Sequence, residues 1–84
     1  MTNQDSLTSR YVDEAWGRLI EADRAVRVAR DALLIAVRKA TLTRDGPAIA
    51  EAQRATAALT VALGNFATRE AQYTSIVERQ GANL

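Results

Sequence analysis

VDEAWGRLIEADRAVRVARDALLIAVRKA, residues 12–40, is the stretch whose reading decides the fold. Larger apolar residues recur in it every seven positions, at Val12, Leu19, Val26 and Leu33, and the series closes at Ala40. A second rung between them is pure alanine: Ala15, Ala22, Ala29 and Ala36. Apolar positions alternating by three and four along this length are the pattern of a helix packed lengthwise against another helix. Alanine rungs let two backbones come close, provided the partner helix supplies bulk opposite them.

The second half of the chain supplies that bulk. Ala52, Leu59, Phe66 and Tyr73 repeat at seven-residue spacing, interleaved with Ala48, Ala55, Ala62, Arg69 and Ile76. Between the two ladders lies Thr43-Arg44-Asp45-Gly46-Pro47, which joins turn formers to a proline suited to the first turn of a new helix. A hairpin folded about residue 44 sets Ala15 opposite Tyr73, Ala22 opposite Phe66, Ala29 opposite Leu59 and Leu33 opposite Ala55. Small faces large at each of these levels, which is how facing helices fill space without voids. Arg69 falls opposite Leu19, where its stem can cover apolar surface while its head reaches water. The expected fold is therefore all-α: one domain over residues 1–84, an antiparallel two-helix hairpin with an Alacoil-like seam, dimerising into a four-helix bundle. Helix 1 is expected over about residues 8–42, roughly 50 Å at 1.5 Å per residue, after a loose start at residues 1–5. Ser6, Thr8 and Ser9 are its candidate caps. The turn takes 43–47 and helix 2 about 47–80, with Gly81 as its stop and a frayed end at residues 82–84.

Composition narrows the function classes. A chain of 84 residues is near the lower limit for a self-sufficient core, and small folds are commonly reinforced by disulfides, a metal or association. Without cysteine or histidine, crosslinks and the usual zinc ligand sets are excluded, which leaves association. Formal net charge is +1, unevenly spread. Residues 24–44 carry six basic groups and one acid, whereas residues 1–23 carry two basic and five acidic groups. No apolar run is long enough for a membrane span and the N-terminus has no secretory pattern, so a cytoplasmic location is expected.

Helix 1 has more apolar residues than one seam uses. On a single helical wheel, Ile20, Val28, Leu34 and Ile35 fall on the far side, among Arg24, Arg27 and Arg38. A helix apolar on both sides is expected to be covered on both sides, by a second copy or by a different protein. These seven residues form the expected interface. Trp16, the single tryptophan, lies near the expected places of Arg69 and Tyr73. The three close the open end of the hairpin, and Trp, Tyr and Arg are also the residue types enriched in binding hot spots. On helix 2, Ala50, Ala57, Gly64 and Ala71 form a smooth strip, read as a solvated face or as a site of close stacking in an assembly.

Catalytic chemistry is not legible. General acid–base work most often uses histidine, the carboxylates are spread along long helices, and no glycine-rich phosphate loop occurs. No catalytic, cofactor-binding or metal-binding residue is assigned, and no cofactor is expected. Trp16-Gly17 is contiguous and inside helix 1, so the Trp-x-Gly turn of small hairpin secretion substrates is not formed. The first functional reading is a non-enzymatic protein-interaction module of phage or bacterial type, a small regulator, inhibitor or chaperone-like adaptor that masks a surface of a partner protein. The second is a structural subunit of a larger assembly such as a secretion needle, phage tail or shell. The third is a dimeric RNA- or DNA-binding bundle, against which Asp31 and the interspersed aliphatics weigh.

Overall fold

The computed structural model describes residues 3–82, and side chains from residue 10 to residue 81. Two helices account for nearly all of it: α1, Asn3–Thr43, and α2, Gly46–Ala82. They lie side by side in an antiparallel hairpin, a rod with principal extents of 63 × 17 × 12 Å. Every ladder residue named above, from Val12 to Ala40 and from Ala48 to Ile76, is buried or half-buried. The most deeply buried are alanines, Ala15, Ala22, Ala36 and Ala48, at 3–5% exposure. Alanine is the side chain that the facing helix can cover completely at close approach; the larger rungs splay outward and stay half-buried.

Two cross-helix contacts fix the register. Lys39 Nζ lies 3.4 Å from Glu51 Oε2 near the closed end. The rings of Trp16 and Tyr73 lie 5.3 Å apart, tilted by 53°, near the open end. Both pairs sit at the levels that a fold about residue 44 assigns them, within a residue or two of the expected pairing.

The turn is tighter than the sequence suggests. Among the described residues only Arg44 and Asp45 lie outside the helices, where the expected loop is 43–47. The backbone reverses through Arg44, whose φ is 54°, while Gly46 has helical φ and opens α2. Arg44 N–H donates to the Ala40 carbonyl at 2.9 Å, which closes α1 with a left-handed cap. Asp45 caps the next helix: its Oδ1 accepts the Ala48 N–H at 2.8 Å, and its carbonyl accepts the Ile49 N–H at 3.1 Å. Thr43 Oγ1 donates to the Lys39 carbonyl at 2.9 Å and satisfies another acceptor of the last turn. A non-glycine residue in this conformation carries a steric cost that glycine avoids. Arg44→Gly is therefore expected to stabilise the hairpin by about 0.5–1 kcal/mol. Chemical denaturation should show a higher midpoint at unchanged slope; an unchanged or lower midpoint would mean that Arg44 contributes something its backbone does not reveal.

The outer ends also differ from expectation. Helix 1 starts by Asn3 rather than near residue 8, so Asn3–Asp5 are helical, not loose, and Ser6, Thr8 and Ser9 lie inside the helix. No proline or glycine interrupts residues 3–16, and extending an existing helix costs far less than starting one. Gly81 does not stop helix 2. It keeps a helical φ and the helix continues to Ala82, because glycine ends a helix only where it turns left-handed. Met1, Thr2, Asn83 and Leu84 lie outside the described residues.

Gly17 and Gly64 sit mid-helix with open space where a Cβ would go. Alanine at either site should raise stability by about 0.5–1 kcal/mol through helix propensity alone. A loss on thermal unfolding at either site would reveal a close neighbour that the hairpin by itself does not contain.

Candidate interaction surfaces

Two parallel rods make a ribbon with two broad faces, and the seam assigns residues to each. In α1 the residues following the alanine rungs (Trp16, Asp23, Arg30, Val37) flank the seam on one side. Those preceding the larger rungs (Arg18, Ala25, Ala32, Lys39) flank it on the other. The structure matches this second flank to Glu51, Ala58, Asn65 and Gln72 of α2. Lys39 meets Glu51, Ala25 and Ala32 share a groove with Ala58 and Asn65, and Arg18 shares a second one with Gln72.

That division splits the interface expected from the sequence. Val28 lines the groove beside Ala25, Ala32, Ala58 and Val61, and Ile35 follows it one heptad later on the same face. Ile20 and Leu34 are rotated about 100° from Val28 and Ile35 and lie on the opposite face, with Trp16 and Val37. Arg24 and Arg38, with Asp31, run along the outer ridge between the two faces, and Arg24 also lines the groove beside Val28. The seven residues are thus not one patch. They are parts of two faces and the ridge that separates them.

Both faces present large apolar side chains. On the groove face Val28 is 64%, Ile35 71% and Val61 72% exposed. On the other, Leu34 is 62% exposed, and Ile20, Val37, Ile49, Leu63 and Val77 are exposed as well. The contributions of α2, chiefly Val61, Leu63 and Ile49, escape a reading made one helix at a time. The signal that finds them is the same heptad count applied to α2, asking which flank of the seam each residue occupies.

Some of the charged groups are paired locally. Arg27 Nη2 lies 2.9 Å from Asp23 Oδ2, Arg10 Nε donates to Glu14 Oε1 at 3.2 Å, and Arg30 lies 3.9 Å from Asp31. These exposed pairs contribute little stability, but they offset part of the basic field of residues 24–44. Of the three expected hot-spot residues, Trp16 and Tyr73 meet in a tilted ring pair. Arg69 is half-buried in the seam and turns its guanidinium along its own helix, donating to Gln72 Oε1 at 3.1 Å. It therefore leans to the groove side, away from Trp16. On α2 the hydroxyls of Thr56, Thr60 and Thr68 donate to carbonyls four residues back, so their protons are already committed.

No protein-family model, curated protein or solved structure matches this chain.

Among the described residues, no three carboxylates converge as a metal site would require, and no buried side-chain polar atom lacks a partner. No described helix is long and apolar enough to cross a membrane. What the surface offers chemically is apolar contact area framed by ion pairs.

Proposed function

We propose that this chain is a non-enzymatic, homodimeric protein-interaction module, built on an Alacoil-like seam and paired into a four-helix bundle. In this reading it acts as a small regulator, inhibitor or chaperone-like adaptor that masks a surface of a partner protein in the cytoplasm. The observation that carries the reading is the exposure of large aliphatics on both broad faces, beyond what the seam uses. Full burial of each such side chain is worth about 1.5–3 kcal/mol, so covering one face repays the entropy of association. A closed dimer uses one face and leaves the other for a different protein. Trp16, Ile20 and Leu34 suit the second role: a large aromatic and two branched aliphatics, with Arg27 and Asp23 between them.

Molar mass by light scattering over a hundredfold concentration range tests the first half of this reading. A constant mass of two chains is expected. Capture from the native source tests the second half: a protein retained by the wild type should be lost with the Ile20→Asp/Leu34→Asp variant. Equal retention would reject this face as the partner site. The assembly-subunit reading has its own support in a 63 Å rod that is apolar on both faces, since such a rod can stack without closing. It requires a mass that keeps growing with concentration.

A further inference from the structure

We propose that the second copy docks on the groove face, over Ala25, Val28, Ala32, Ala58 and Val61, with both turns at the same end of the dimer. This inference rests on the dimeric reading above and specifies its face and orientation.

The need for a second copy is visible in the surface area. The chain exposes 6544 Å², whereas a compact monomer of 9.1 kDa is expected to expose about 4,900 Å². The excess of about 1,600 Å² per chain falls within what an obligate dimer covers, about 1,000–2,500 Å² on each partner. Among the described residues no large side chain is fully buried, so the core is completed only by covering a face.

The two faces are not equivalent for this purpose. Stable interfaces have an apolar centre and a polar rim. The groove face has that layout. Alanines and valines occupy its middle, edged by Arg24 and Asn65; Glu14, Arg18 and Glu21 lie toward its open end with Tyr11, and Lys39, Glu51 and Arg54 toward its closed end with Ile35 and Leu42. The other face is inverted: Trp16 and Ile20 lie at one end, Leu34, Val37 and Ile49 at the other, with Asp23, Arg27 and Arg30 across the waist. A second copy there would have to dehydrate the Asp23–Arg27 pair and Arg30 at its centre, where α2 offers only Thr56, Thr60 and Leu63.

Charge then selects the orientation. With the two-fold axis along the rod, α1 of one copy lies on α2 of the other, and each residue meets the level it already faces in its own chain. Val28 meets Val61 of the second copy, Ala32 meets Ala58, Arg18 meets Gln72, and Glu21 meets Thr68. Lys39 meets Glu51 of the second copy, so the 3.4 Å pair within each chain becomes a four-charge alternating cluster. No like charges coincide. With the turns at opposite ends, α1 lies on α1 about a centre at Val28, and Arg18 falls opposite Lys39 twice. Like charges so placed select against that arrangement.

The chain contains no native cysteine, so single cysteines report the geometry directly. Chains carrying Val28→Cys, mixed with chains carrying Val61→Cys, should oxidise to a covalent dimer, while Val28→Cys alone should form no crosslink under the same oxidation. Val28→Asp and Val61→Asp should each weaken dimerisation on the order of a hundredfold, and Thr60→Asp, on the opposite face, should leave it unchanged. The crosslinks keep the proposal testable even if the aspartate variants lose helicity along with the dimer. Self-crosslinking of Val28→Cys overturns the orientation. A dimer indifferent to Val28→Asp and Val61→Asp overturns the face while the dimeric reading stands. A wild-type mass of one chain at every concentration overturns both.

Discussion

Ala22→Leu is expected to be the most damaging conservative change in the chain. Ala22 is 3% exposed, and the register places Phe66 opposite it. Three added carbons have nowhere to go except between two backbones, so the helices must separate or the phenyl ring must leave the seam. Overpacking of this kind costs about 1–3 kcal/mol, out of a total of roughly 4–13 kcal/mol for a domain of this length. The thermal midpoint should fall by about 5–20 °C. Ala57→Leu, on the exposed ridge of α2, provides the comparison and should move it little. Equal midpoints for the two variants would mean that the close approach inferred from the alanine rungs is not what holds the hairpin. A second substitution tests the pairing itself. Phe66→Ala alone opens a void, but combined with Ala22→Leu it moves the bulk from one helix to the other. The double variant should be less damaged than the sum of the single ones by at least about 0.5 kcal/mol, the signature of residues in contact.

The seam was legible because its information is periodic. Errors at single positions, such as Arg69 among apolar residues, do not disturb a ladder carried by eight other members of the same helix. The turn was legible only in outline. Gly46 is the residue that tolerates a left-handed backbone most cheaply, yet the reversal falls on Arg44, because Asp45 is needed as the cap of α2 and Pro47 must sit in its first turn. Three demands compete for a two-residue connection, and local preference at one position does not decide among them. The faces were the least legible part. A wheel drawn for α1 alone groups Ile20 and Leu34 with Val28 and Ile35, since all four avoid the seam. Only when α2 is placed beside α1 does the seam gain two flanks. Then Ala58 and Val61 appear next to Val28, and Leu63 and Ile49 appear on the side of Leu34. The beginning of α1 was misread for a simpler reason. Several competent caps in a row describe places where a helix can start, not the place where it does.

Trp16→Ala is the second large effect, and it separates two roles that the sequence leaves superimposed. At the open end no connection holds the helices together, and Val12, Ala15, Leu19, Tyr73 and Ile76 must do so by packing. The indole covers Tyr73 from the side, at 5.3 Å between ring centroids, in the tilted geometry that aromatic pairs favour. Truncating a fully buried tryptophan costs about 3–5 kcal/mol. Trp16 is 49% exposed, so about 2 kcal/mol is expected here, including about 0.5–1.5 kcal/mol from the ring pair itself. The loss should be local. Amide exchange should accelerate first in residues 10–20 and 70–80, while the end near Ala36 and Ala48, tied by the turn, keeps its protection. Trp16→Phe should retain most of the stability because a ring still covers Tyr73. Since Trp16 is the single tryptophan, its emission in the wild type reports this end alone. A fluorescence transition that precedes the circular-dichroism transition would show the same fraying without any substitution. If Trp16→Ala instead leaves both stability and exchange at wild-type values, the indole is not a structural clasp, and its exposed half becomes the strongest single argument for a partner on the Ile20–Leu34 face.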